Sequence, residues 1–189
     1  MNANEVTNWT AGDFDWSEVQ WRDIGGIQQA VYKDQAVHWN RDVPGGWVGP
    51  YTLATLGSCV SSFCEDRPGV YRLIGLDYDG RPAALDRLCE LDRTGTLYIG
   101  AEGKTFANRS RLTQLVRSLR ERGRVYNSEH KAGHRLRTHA HLSTRFPPDR
   151  IALTWCYCDL PMSAERALFE VYFSSFGDTP PLNFRTSLT

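Results

Sequence analysis

Two rhythms of apolar and polar positions run along the chain from residue 67 onward. "GVYRLIGL" (69–76), "GTLYIG" (95–100) and "RIALTWCYC" (150–158) are short apolar runs with aromatic residues, and each predicts a strand. A different spacing begins at Ser110, where Leu112, Leu115, Val116 and Leu119 recur at three and four positions. That spacing predicts an amphipathic helix, ended by Gly123, with Arg111, Arg117, Arg120 and Arg122 left for its outer face. Ser163 is read as the cap of a second helix through "AERALFEVYFSSF", which Gly177 stops. Between the first two strands, "AALDRLCELD" sets Ala84, Leu85, Leu88 and Leu91 at helical spacing and predicts a short helix. "HKAGHRLRTHAHL" is basic and reads as partly helical, and Asn108 is a plausible cap in the loop "AEGKTFAN". The order of elements predicts an α+β fold, a small sheet of three strands flanked by helices.

The first fifty residues follow neither rhythm. They carry Trp9, Trp16, Trp21, Trp39 and Trp47, five of the six tryptophans, and stretches such as "DVPGGWVGPYT" whose glycines and prolines exclude one long helix. An irregular or short-stranded extension that packs aromatic rings onto a core is the expectation, with a partner-binding arm as the alternative. The chain therefore divides into an acidic, tryptophan-rich extension, residues 1–66, and a domain, residues 67–189.

Charge sharpens this division. The 22 basic and 22 acidic residues cancel, yet residues 1–66 hold three basic against nine acidic side chains, and residues 103–150 hold twelve against three. A local excess of that size predicts a polyanion-binding face in the middle of the chain. There is no basic start followed by an apolar run, and no stretch approaches the roughly twenty apolar residues of a membrane span. The expectation is a soluble cytoplasmic protein with no membrane partner. Five cysteines, an odd number, suit a reducing compartment. Cys156 and Cys158 fall on one face of a strand, where two apolar thiols pack as well as they would bind zinc, and the usual zinc spacing is absent.

Four groups could converge on phosphate chemistry. Tyr71 and Tyr98 lie on strands whose pairing could bring both phenols to one face of the sheet. Arg109 stands at the start of a helix, where a guanidinium and exposed N–H groups grip a phosphate. Glu165, expected in the first turn of the last helix, offers hard oxygens to a divalent cation. Glu170 is a rival for that role.

Together "GVY", "LYIG", an arginine opening the next helix, a later helical glutamate and "PPLN" ending at Asn183 resemble the GIY-YIG nuclease family over residues 68–184. The resemblance implies a three-stranded antiparallel sheet with helices and a phosphodiester hydrolase that uses Mg²⁺ or Mn²⁺. It implies Arg109 as catalytic arginine, Glu165 as the single metal ligand, Tyr71 as general base, Tyr98 as a second active-site phenol and Asn183 as a supporting residue. The chain departs from the pattern in three ways. Tyr71 and Tyr98 are 27 residues apart, so "DYDGRPAALDRLCELDRT" is an insertion. Arg109 comes one position late, which makes Arg111 an alternative. No lysine or histidine stands at the usual place near the arginine, so Lys104, His130 or His134 would have to reach in. The implied partner is nucleic acid, DNA before RNA, with an inactive binding module of the same fold as the alternative.

Overall fold

The computed structural model describes residues 20–24, 27–31, 47–56, 67–103, 111–120 and 130–183, with side chains from residue 50 onward. Its centre is the pair of strands that the apolar runs predict, β4 (Gly69–Gly75) and β8 (Ile151–Tyr157), every residue of both being buried. Burial on both faces explains their near-continuous apolar sequences, since neither face meets water. On one side of β4 lies β7 (Thr96–Glu102), and beyond β8 lies β3 (Trp47–Thr52), giving the antiparallel order β3-β8-β4-β7.

The sheet thus has four strands, not the expected three. The added strand comes from the segment assigned to the extension, so the stretch from Trp47 to Thr52 belongs to the sheet. A separate hairpin, β1 (Gln20–Ile24) with β2 (Ile27–Val31), forms part of the same region. Trp9, Trp16 and Trp39 lie outside the described residues.

Strand alternation sorts the side chains into two cores. On one face Tyr71, Leu73, Leu153, Trp155 and Tyr157 pack under helix α2 (Arg111–Arg120) and helix α3 (Lys131–Thr138), whose Leu112, Leu115, Leu119 and Leu136 point inward. On the other, Val70, Ile99, Ala101 and Cys156 meet Ala164, Leu168, Val171 and Tyr172 of helix α5 (Pro161–Phe176). Cys156 and Cys158 are both buried in this second cluster, packed as apolar groups. A short helix α1 (Leu53–Leu56) and helix α4 (Ala140–Arg145) complete the α+β arrangement. No helix among the described residues is long and apolar enough to cross a membrane.

Three local expectations change. The segment read as a short helix instead forms a two-residue ladder between β5 (Leu85–Asp86) and β6 (Leu91–Asp92), and Leu88, one of its four spaced apolar residues, is 79 % exposed. A run this short cannot offset the cost of helix nucleation unless packing supports it. The last helix starts at Pro161, with Leu160 at its cap position and no side-chain cap, so Ser163 lies inside it. Glu165 is consequently past the first turn. Gly177 does end the helix, with φ of 66° and its N–H donating to the Phe173 carbonyl. Arg120 is not wholly outward: it is half-buried and donates to the Leu53 carbonyl.

Helices α2 and α3 cross where Ser118 meets Gly133. A Cβ at Gly133 would stand 1.7 Å from Ser118 Oγ and 2.8 Å from its Cβ. Gly133→Ala is expected to destabilise the protein by about 2 kcal/mol, as overpacking does, and Ser118→Gly to restore part of the loss. Urea denaturation of the two single variants and the double variant measures both effects; additive losses would contradict the contact.

Candidate active site

Tyr71 pairs with Gly100 across β4 and β7, and Leu73 with Tyr98, so the two tyrosines share a face, as their strand pairing requires. Leu97 is the extra residue of a bulge between the Leu73–Tyr98 and Ile74–Thr96 pairs. The tyrosine rings stand 6.1 Å apart at 39°. The glycine opposite Tyr71 is what permits this: a Cβ at Gly100 would meet Tyr71 Cζ at 2.6 Å and Tyr98 Cε1 at 2.7 Å. Gly100 therefore lets the first phenol ring lie across the second strand.

His130, immediately before α3, closes the site from above. Its Nε2 is 3.2 Å from Tyr71 Oη, and its ring meets Tyr98 edge-on at 5.2 Å between centroids. The imidazole is 6 % exposed, and its Nδ1 has no hydrogen-bond partner among the described residues. His134 is half-buried one turn further along the same helix.

Arg111 opens α2. Its backbone N–H donates to Glu102 Oε2 at 2.5 Å, so the carboxylate at the end of β7 satisfies an orphan donor of the helix start. The Arg111 charge acts on Tyr71, Tyr98, His130 and Glu165 alike, while the residue itself is exposed. Arg109 and Lys104 lie outside the described residues.

Glu165 reaches the group from α5, near enough for its charge to act on both phenols. It has no hydrogen bond to any described residue. Its rival Glu170 is turned to the surface, where Oε1 accepts from Arg166 Nε at 3.0 Å. Asn183 stands at the edge of the site: Oδ1 accepts from the Ile99 N–H at 2.9 Å and Nδ2 donates to the Ile99 carbonyl at 2.8 Å. It fastens the carboxy-terminal turn to β7 between the second tyrosine and Gly100. Glu102 and Arg135 were not singled out in the sequence. Arg135 donates to the Leu182 carbonyl at 3.4 Å, and its charge acts on Tyr98. No local signal marks either residue, because each owes its place to the way β7 packs against later elements.

Burial drives Tyr71, Tyr98, His130 and Glu165 toward their neutral forms. Tyr71 is pushed well above the ordinary phenol range by burial, with the neighbouring Tyr98 and the two carboxylates adding to it and Arg111 opposing. Tyr98 is pushed up to about 12 by burial and Glu165, against Arg111, a hydrogen bond with Tyr71, and Arg135. His130 is lowered to about 4 by burial and by Arg111. Glu165 is raised to about 7 by burial, with Arg111 holding it down. At neutral pH the phenols and the imidazole are uncharged, and the glutamate is on the edge of ionisation.

A divalent cation suits Glu165. The carboxylate is desolvated and free of protein donors among the described residues, and a cation there would favour the charged form that burial disfavours. No three His, Cys, Asp or Glu side chains gather into a metal site among the described residues. One carboxylate, with water and substrate phosphate filling the remaining positions, is the way Mg²⁺ is commonly held.

Compared with protein-family models, curated proteins and solved structures, the chain matches none.

The two shifted groups bear on stability in opposite directions. Glu165 takes up a proton more readily in the folded chain, so its penalty is absent below pH 4.5 and grows as pH rises through about 7. His130 takes one up less readily, so its contribution is intact above pH 6.5 and is lost as pH falls through about 4. Glu165→Gln is expected to raise stability at pH 8 by about 2 kcal/mol and to leave it unchanged near pH 4. Denaturant titrations at the two pH values check this; equal effects at both would refute the buried-carboxylate reading.

Proposed function

We propose that the chain is a divalent-metal-dependent endonuclease that hydrolyses phosphodiester bonds of nucleic acid, DNA in the first place. The observation that carries this reading is the contact of Tyr71, Tyr98 and His130, with the charges of Arg111 and Glu165, from two further elements, acting on both phenols. It also accords with the resemblance to the GIY-YIG nucleases. In the arginine role we place Arg111, whose charge acts on both phenols; Arg109 lies outside the described residues.

Each residue has a task its surroundings suit. Arg111, exposed at its outer side, receives the phosphate and steadies the negative charge that develops on the non-bridging oxygens. Both phenols are protonated at neutral pH, so neither is a resident base. Tyr71 accepts a proton from the attacking water only as its own hydroxyl proton passes to Nε2 of the neutral His130, 3.2 Å away. Tyr98 donates to the phosphate and keeps the first ring in place. Glu165 would hold Mg²⁺ or Mn²⁺, which when bound supplies Lewis-acid stabilisation of the leaving oxygen. The basic excess in residues 103–150 provides the charge to hold the rest of a polyanion.

Purified protein is expected to cut DNA with Mg²⁺ or Mn²⁺. Arg111→Ala, Glu165→Gln and Tyr71→Phe should each lower the rate by about a hundredfold or more, with DNA binding largely kept. Binding affinity should fall linearly with salt on logarithmic axes. Salt-sensitive binding without metal-dependent cleavage, in plasmid, linear and single-stranded substrates, would assign the chain to the inactive binding module instead. A flat salt response would remove nucleic acid from both readings.

A further inference from the structure

The connection between the two tyrosine-bearing strands is fastened to α5 at three points. Arg87 pairs with Asp178, just beyond the end of the helix. The Cys89 N–H donates to the Phe176 carbonyl, 3.0 Å away, in the last helical turn. The Tyr172 hydroxyl, wholly buried, donates to Asp92 Oδ2 at 2.8 Å.

Asp92 is the hub of these ties. It is 0 % exposed, and its other oxygen accepts from the Thr94 N–H at 2.7 Å and the Thr94 hydroxyl at 2.6 Å. Alongside lies the buried guanidinium of Arg72, lowered to about 9 by burial while the Asp92 charge opposes the shift. Arg72 follows Tyr71 on β4, so the carboxylate that accepts from α5 also acts by its charge on the strand that carries Tyr71. Removing one partner from a buried charge pair leaves the other uncompensated, which makes such a hub resist displacement.

Tyr172 also stands in a telling register. Seven residues, two helical turns or about 10 Å, separate it from Glu165, and seven residues return a helix to nearly the same face. Whatever fixes Tyr172 against the sheet therefore fixes the face that presents Glu165. The helix start is held by apolar packing of Pro161 and Ala164 rather than by a polar tie. It has no side-chain cap, and Met162 there is 59 % exposed.

We propose that the connection 76–95 is a brace that sets α5 against β4, and that Asp92, Tyr172 and Arg87 are positioning residues for Glu165. This rests on Glu165 being the acid of the site proposed above. It gives the long connection a purpose that a short hairpin between the strands could not serve.

The test uses NMR of the full chain at pH 8 and needs neither substrate nor cation. In the wild-type background, Glu165→Gln should displace the ring signals of Tyr98. In Tyr172→Phe/Arg87→Met, which removes two ties and leaves the buried ring in place, that displacement should shrink by more than half. Amides of residues 161–170 should exchange about tenfold faster in the double variant, with those of α2 and α3 unchanged, the pattern of a local rather than global opening. If the double variant does not fold, Tyr172→Phe alone supplies the same comparison. An undiminished Tyr98 response with unchanged exchange overturns the brace, as does a Tyr98 that ignores Glu165→Gln in the wild-type background. Failure of the wild-type protein to cleave DNA would sink the nuclease reading and leave this comparison intact.

Discussion

Strand alternation in β4 sends Tyr71 to one face of the sheet and Arg72 to the other, and both are buried because β4 lies between two strands with helices above and below. Everything else hangs on that constraint. The phenol must find polar company on its face, and it does so in His130 and Tyr98. The guanidinium must find a negative charge on the other, which Asp92 supplies. Site and brace are therefore two answers to one problem: how to bury consecutive polar residues in the centre of an apolar sheet.

The cost of that burial shapes the chemistry. A cluster of phenols, an imidazole and a carboxylate that all favour their neutral forms carries little fixed charge of its own, and the charges acting on it are those of Arg111, Arg135 and Glu102. Such a site is preorganised rather than solvated, and the few charges near it act in a weakly screening medium. Glu165 is the group that stands to gain most from a bound cation, because its carboxylate is kept close to protonation by burial. The same desolvation works against the folded state at neutral pH, the usual trade between a functional group and stability.

The sequence was informative wherever one periodicity ran long enough. The apolar runs of β4, β7 and β8 were visible because both faces of each are covered, and α2 because its leucines keep the three-and-four spacing. Tyr71 and Tyr98 could be placed on one face from strand pairing alone. Two things were hidden for physical reasons. β3 lies in "WVGPYT", whose glycine and proline weaken any strand signal, and its place at the edge beside β8 is set by tertiary pairing across about a hundred residues. The stretch from Ala84 to Asp92 carried helical spacing by coincidence, since its backbone groups are taken by a β ladder and by the end of α5. Glu165 was preferred to Glu170 from the resemblance, and what separates the two physically, the side of α5 that meets the sheet, is not written in the local sequence.

The preference for Arg111 comes from how β7 hands the chain to α2. Glu102, 7 % exposed at the last residue of β7, accepts the N–H of Arg111 at the first residue of α2. That hydrogen bond pins the start of the helix to a carboxylate two residues past Gly100, the glycine over which Tyr71 lies. An arginine at that first helical position has its backbone held by Glu102 while the residue remains exposed, so its charge acts on the phenols without being buried with them. Glu102 has a second effect: the carboxylate favours the helix start and adds to the rise of the Tyr71 phenol, which Arg111 opposes.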